Sequence, residues 1–198
     1  MGFTRAELEA GRGRGVPDLL GPHTKLLFVG INPGLWTAAA QAHFAKRGNR
    51  FYPALHLGGL TDSVIDASAG FRPADREHLI SRGIGITNLV NRATARADEL
   101  DAEEIRLGAT DLEKRLLSIK PKVVVILGVT AYRVAFNRPR AGEGWQEDLG
   151  PSSLMVTGNP SGLNAHQTVV SLAARFREAG RRAGISESIR HPRGRSDT

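Results

Sequence analysis

Cysteine is absent from the 198 residues. That excludes disulfides, thiolate zinc sites, cysteine-bound iron–sulfur clusters and a cysteine nucleophile. Long apolar runs are also missing, since no stretch approaches the roughly 20 residues of a membrane span. The opening Met1-Gly2-Phe3-Thr4-Arg5-Ala6-Glu7 has no apolar run of the signal-peptide kind. A soluble intracellular chain, cytoplasmic or nucleoid-associated and without a membrane partner, is the expectation. Nucleotide-binding signatures are lacking too, for neither a G-x-G-x-x-G turn nor a phosphate loop ending in Gly-Lys-Ser/Thr occurs. No internal repeat is present.

Acidic residues are outnumbered, 20 against 27 Lys and Arg, giving a formal charge of +7. Such a balance favours a polyanionic partner, nucleic acid first, over a merely basic soluble protein. Seven arginines lie between Arg175 and Arg195, against Glu178, Glu187 and Asp197, so four of the seven net charges sit near the C-terminus.

The length suits one α/β domain with a substantial core. Residues 1–23, centred on Gly11-Arg12-Gly13-Arg14-Gly15, read as a flexible basic arm or a short leading helix. Residues 24–183 read as the domain, and 184–198, with Ser, Pro, Gly and Arg and no apolar period, as a disordered basic tail. Four apolar runs stand out at 26–31, 84–90, 123–127 and 154–157. Such runs suit strands buried on both faces, as in a parallel sheet. Asp101 and Glu104 resemble a capping box. Ile105, Ala109, Leu112, Leu116 and Ile119 then follow at helical spacing until Pro121. Val169, Leu172, Phe176 and Ala179 mark a last helix. Helices alternating with strands predict an α/β fold with ligands bound beyond the carboxyl ends of the strands.

Two of those ends share a pattern: Gly30-Ile31-Asn32-Pro33-Gly34 and Gly158-Asn159-Pro160-Ser161-Gly162-Leu163-Asn164. In the first, Pro33 stiffens the turn and Gly30 allows close approach. The Asn32 amide cannot hold a proton as a base, but its oxygen can aim a water. That suffices where the leaving group departs early and the sugar gains oxocarbenium character. An ordinary Asn-Pro-Gly turn is the alternative. In the second, Ser161 and Gly162 expose backbone. Leu163 is either an apolar wedge that enters a base stack or a staple under the next helix. Residues 43–52 interleave aromatics with Lys and Arg, as stacking with phosphate contact requires, whereas Phe51 and Tyr52 suit a core pair. Asp98 and Glu99 follow the second strand end, where they could activate water or cap a helix.

GINPG at 30–34, FAKRGNRFY at 44–52, GITNLVNRAT at 85–94 and NPSGLN at 159–164 together resemble the mismatch-specific uracil-DNA glycosylases, which include the thymine-DNA glycosylases. The resemblance covers roughly residues 25–180, in order. It implies a three-layer α/β/α sandwich around a short, mostly parallel four-stranded sheet. It also implies a monofunctional DNA-repair enzyme, without cofactor or metal, acting on double-stranded DNA with G·U or G·T mispairs or damaged pyrimidines; a monomer is the expectation, though nothing in the sequence fixes the oligomeric state. Asn32 then positions the hydrolytic water. Gly30, Ile31, Pro33, Thr37 and Asn159 help form the base pocket, and Phe44 stacks on the flipped base. Ser161, Gly162, Leu163 and Asn164 form the wedge and contact the opposing guanine. Some relatives carry a basic residue where this chain has Ala165, so Lys46, Arg50 and His166 are the candidate phosphate contacts. The highly active uracil-specific branch has a carboxylate where this chain has Asn32, which implies slower chemistry.

Overall fold

Val, Ile and Leu, stiff or bulky enough to favour extended backbone, build four largely buried strands. The computed structural model describes residues 2–162 and 167–187. In it β1 (Leu26–Gly30), β2 (Ile84–Asn88) and β3 (Val123–Leu127) are buried along their whole length. The sheet order is β2-β1-β3-β5-β4. Phe28 lies opposite Ile86 on one side and Val125 on the other, and Val125 opposite Met155 of β5 (Ser153–Thr157), all in parallel register.

Side chains alternate across this sheet. Leu26, Phe28, Val125 and Met155 face one core, where α3 (Phe51–Leu57), α4 (Pro73–Ser81) and α7 (Val169–Ala183) supply Phe51, Leu55, Leu79, Leu172 and Phe176. Leu27, Val29, Val124, Ile126 and Val156 face a second core. There α5 (Ala102–Ile119) supplies Ile105, Ala109, Leu112 and Leu116, and α6 (Val129–Ala135) supplies Tyr132. Helices cover both faces, as expected of three α/β/α layers. Phe51 and Tyr52 are core residues.

The sheet has five strands rather than four. The addition, β4 (Gly144–Trp145), is a two-residue strand antiparallel to β5 at one edge. Two residues, one of them Gly, leave no alternating pattern to read. The Asp101 cap is half of the expected box. Its carboxylate accepts from Glu104 N at 2.7 Å, but the Glu104 side chain turns to Arg92, two bonds at 2.7 and 2.8 Å, instead of back to the cap.

The leading segment carries α1 (Arg5–Glu9), capped by Thr4 and packed against α2 (Leu35–Ala40), and then runs along the domain. Val16 and Leu19 are buried. Leu19 exchanges two backbone hydrogen bonds with Ile86, at 2.9 and 2.8 Å, so the free edge of β2 is covered as sheet edges generally must be. Ahead of it, Val16 N donates to Asn91 Oδ1 at 2.8 Å and Gly13 N to Ala93 O at 2.8 Å. Residues 13–19 thus form a strap along the segment that follows β2. Of the tail read at 184–198, residues 188–198 lie outside the described residues.

Emptying the Leu19 site tests whether the strap is structural. Leu19→Ala should destabilise the whole domain by about 2–5 kcal/mol, the range for truncating a fully buried Leu. Chemical denaturation should show one transition moved to lower denaturant. An unmoved midpoint would mean that the strap is an ornament on the fold.

Candidate active site

Parallel strands end at one rim, and here the rim is hollow. Gly30, Asn88 and Leu127 close β1, β2 and β3, and the loop after β5 brings Asn159 and Ser161 beside them. These residues line a cavity of about 430 Å³, within the roughly 300–1,000 Å³ usual for small-ligand sites. Ile31, Asn32, Thr37, Phe44 and Lys46 line it as well. The two Asn-Pro loops therefore share one cavity, and Phe44 meets them there.

The first loop is held by its neighbour. Backbone pairing between β1 and β2 continues past the strand ends: Leu89 N donates to Gly30 O at 2.9 Å, Val90 N to Ile31 O at 3.0 Å and Thr94 N to Pro33 O at 3.1 Å. Asn32 Nδ2 then donates to Arg92 O at 2.9 Å, Thr94 Oγ1 at 2.7 Å and Pro33 O at 3.2 Å. Thr94 is buried and passes its own hydroxyl hydrogen to Arg96 O at 2.7 Å. An amide nitrogen carries two hydrogens, so these acceptors fix it. No described residue donates to Asn32 Oδ1, which is the half of the amide left for a ligand or a water.

Phe44 has a backbone φ of 54°, a left-handed conformation unusual for a bulky residue. The turn places its ring against Phe51, centroids 4.1 Å apart at 29°, with the ring edge toward the cavity. Gly30 makes this arrangement fit. A Cβ there would lie 3.3 Å from Phe44 Cζ and 2.4 Å from Asn88 Oδ1.

The second loop is tied to the segment carrying Phe44. Arg50 N donates to Pro160 O at 2.9 Å and its guanidinium to Ser161 O at 2.7 Å. A Cβ on Gly162 would come within 2.9 Å of Gly48 O, so the loops are packed backbone to backbone. Asn159 Oδ1 accepts from Ser161 N at 2.9 Å, closing a local turn. Gly158 makes room for Gln167, whose amide would lie 2.3 Å from an added Cβ. Leu163, Asn164, Ala165 and His166 fall outside the described residues.

Of the two candidate carboxylates, Glu99 caps the short 3₁₀ turn Ala97–Glu99 by accepting from Arg96 N at 2.9 Å and pairs with Arg12 at 2.7 Å. Asp98 lines the cavity but pairs with Arg96. Among the described residues no group of three His, Asp or Glu could hold a metal ion.

Several residues lining the cavity carried no assignment from sequence, among them three with polar side chains close to the quoted motifs. Asn49, Asn88 and His43 all belong to the quoted motifs or border them. Asn88 and His43 are buried, and Asn88 is the last residue of β2, where strand-end logic should have found it.

Residues 17–180 match the family described as the uracil DNA glycosylase superfamily. The chain belongs to that superfamily. It is also similar to a Methanosarcina acetivorans protein, solved by NMR and provisionally described as a uracil DNA glycosylase. The identity is 19%, over 84% of this chain and 98% of that one, with a TM-score of 0.58. At that identity the likeness speaks for the fold. Membership in the uracil DNA glycosylase superfamily supports a DNA glycosylase function in general, with DNA as the macromolecule acted on. The rim cavity is where the strand ends and both Asn-Pro loops of this superfamily member converge.

Gly30 is the position at which the cavity tolerates least. Gly30→Ala should displace Asn88 and Phe44 together. A loss of stability of roughly 1–3 kcal/mol is expected, as for other overpacked sites, along with weaker binding of any cavity ligand. Thermal melting and ligand titration read the two effects. Wild-type behaviour in both would show the floor to be looser than described.

Proposed function

We propose that this superfamily member is a monofunctional DNA N-glycosylase of the mismatch-specific uracil/thymine type. In this reading it extrudes uracil, or a related pyrimidine opposite guanine, from duplex DNA and hydrolyses its N-glycosidic bond. The observation that carries the proposal is the pinned Asn32 amide. Its nitrogen is committed to three protein acceptors, so its oxygen can hold a water in one direction beside a ring-lined cavity.

Lys46 at the cavity mouth and the other basic side chains engage phosphate, so affinity falls as salt rises. Gly162 and Leu163 enter the stack, and Asn164 meets the widowed guanine. Flipping costs a few kcal/mol and least for a mispaired base, which favours G·U and G·T over normal pairs. The extruded ring lies along Phe44, with Thr37 nearby. Asn88 places an amide at the polar edge of the ring. The glycosidic electron pair leaves on the base while the water directed by Asn32 adds to the anomeric carbon. Its proton passes to the departing base or to solvent, leaving an abasic sugar. Asn32 cannot form a Schiff base, so no strand cleavage accompanies excision.

A duplex with one uracil opposite guanine, treated with the protein and then with alkali, should break at that nucleotide. Asn32→Ala should slow single-turnover excision roughly 100-fold, the scale of a lost positioning group, while duplex binding persists. Intact strands from the wild-type protein, on both G·U and G·T duplexes, would make the chain a non-catalytic nucleic-acid binder of the same fold.

A further inference from the structure

We propose that His43 is a positioning residue that sets which way the Asn88 amide faces, so that the cavity offers a carbonyl acceptor to the N3–H of a uracil-type base and rejects cytosine. The inference rests on the glycosylase reading for its substrate and on local geometry for its mechanism.

The geometry is a relay. His43 Nε2 lies 3.0 Å from Pro17 O. A backbone carbonyl only accepts, so Nε2 carries the hydrogen. In a neutral imidazole the other nitrogen, Nδ1, then holds a lone pair. Burial pushes the His43 imidazole below its ordinary value, against smaller opposing effects of the Pro17 hydrogen bond and the Asp18 charge. Asp18 is itself engaged by Thr87 Oγ1 at 2.7 Å and by Arg115 at 3.3 Å.

Asn88 Nδ2 lies 3.4 Å from His43 Nδ1. The reversed amide would set oxygen lone pairs against the ring lone pair in a buried site, where such a clash is costly. The nitrogen of Asn88 therefore faces His43, and Oδ1 faces the space above Gly30, where the ring edge of Phe44 also closes in. No described residue donates to that oxygen. A uracil or thymine ring in this space presents N3–H to it and completes a hydrogen bond. Cytosine presents a lone pair at N3, which leaves two acceptors opposed. The discrimination depends on Pro17, part of the strap, because its carbonyl selects the tautomer.

Two measurements test the relay. Long-range ¹H–¹⁵N correlation on the labelled full chain at neutral pH reads the ring nitrogens of His43, with protonated Nε2 and bare Nδ1 expected. Binding is then compared on duplexes whose target is the cleavage-resistant 2′-fluoro form of deoxyuridine or of deoxycytidine, each opposite guanine. His43→Leu removes the acceptor and should lower the preference for the uracil duplex roughly tenfold, the scale of one buried hydrogen bond. His43→Asn restores an acceptor near the Nδ1 position and should keep most of the preference. A merely structural role would weaken both duplexes alike and leave their ratio unchanged. A hydrogen on Nδ1, or an unchanged ratio in His43→Leu, would overturn the relay. Should His43→Leu fail to fold, the ring-nitrogen spectrum and His43→Asn still decide. The two proposals fail separately. Uncut uracil duplexes together with the expected tautomer and ratio would remove the glycosylase and keep the relay. Normal excision with hydrogen on Nδ1 would do the reverse.

Discussion

The continuation of parallel pairing beyond the ends of β1 and β2 is the constraint on which the site depends. Three backbone hydrogen bonds carry the ladder from Gly30 O to Pro33 O, joining the first Asn-Pro turn to residues 89–94. Each contributes only about 1 kcal/mol net to stability. Their larger effect is on freedom: a loop zipped to a strand exit cannot reorient, and the carbonyl of Arg92 and hydroxyl of Thr94 arrive at Asn32 already in place. The amide is then fixed before any ligand enters, which is what orientation effects in catalysis require.

A chemical logic joins two of the amides that line the cavity. Asn32 and Asn88 both direct nitrogen into protein and leave oxygen unclaimed by any described residue. The cavity is thus furnished with neutral acceptors. In the proposed reaction such groups suit a water hydrogen at one end and a ring N–H at the other. The carboxylates nearby are spoken for, Asp98 by Arg96 and Glu99 by Arg12. A site of this kind orders its reactants well but withdraws protons poorly.

Much of this was legible in the residues themselves. Continuous apolar runs revealed the four long strands, because burial on both faces leaves a compositional mark. The stripe from Ile105 to Leu116 revealed α5 for the same reason. The shared rim of the two Asn-Pro loops followed from parallel strands having their carboxyl ends together. What escaped notice was decided by contacts far apart in sequence. The strand β4 exists because Gly144 and Trp145 find the edge of β5. The strap depends on single apolar residues, Val16 and Leu19, among glycines and arginines whose composition suggests looseness. His43 and Asn88 acquire a relation only when Pro17 is brought to them, and no spacing rule joins positions 17, 43 and 88. Arg50 reads as a phosphate contact by composition, yet it also secures the carbonyl of Ser161.

The strap has a consequence for how the protein comes into being. Val16 and its partner Asn91 are 75 positions apart, so during synthesis the first emerges well before the second. At about 5–20 residues per second, translation leaves an interval on the order of ten seconds. Throughout it, Val16 and Leu19 lack the partners that bury them in the finished fold. The nascent chain is most exposed to wrong associations in that interval. The strap closes late, only when this early segment meets one of the middle ones.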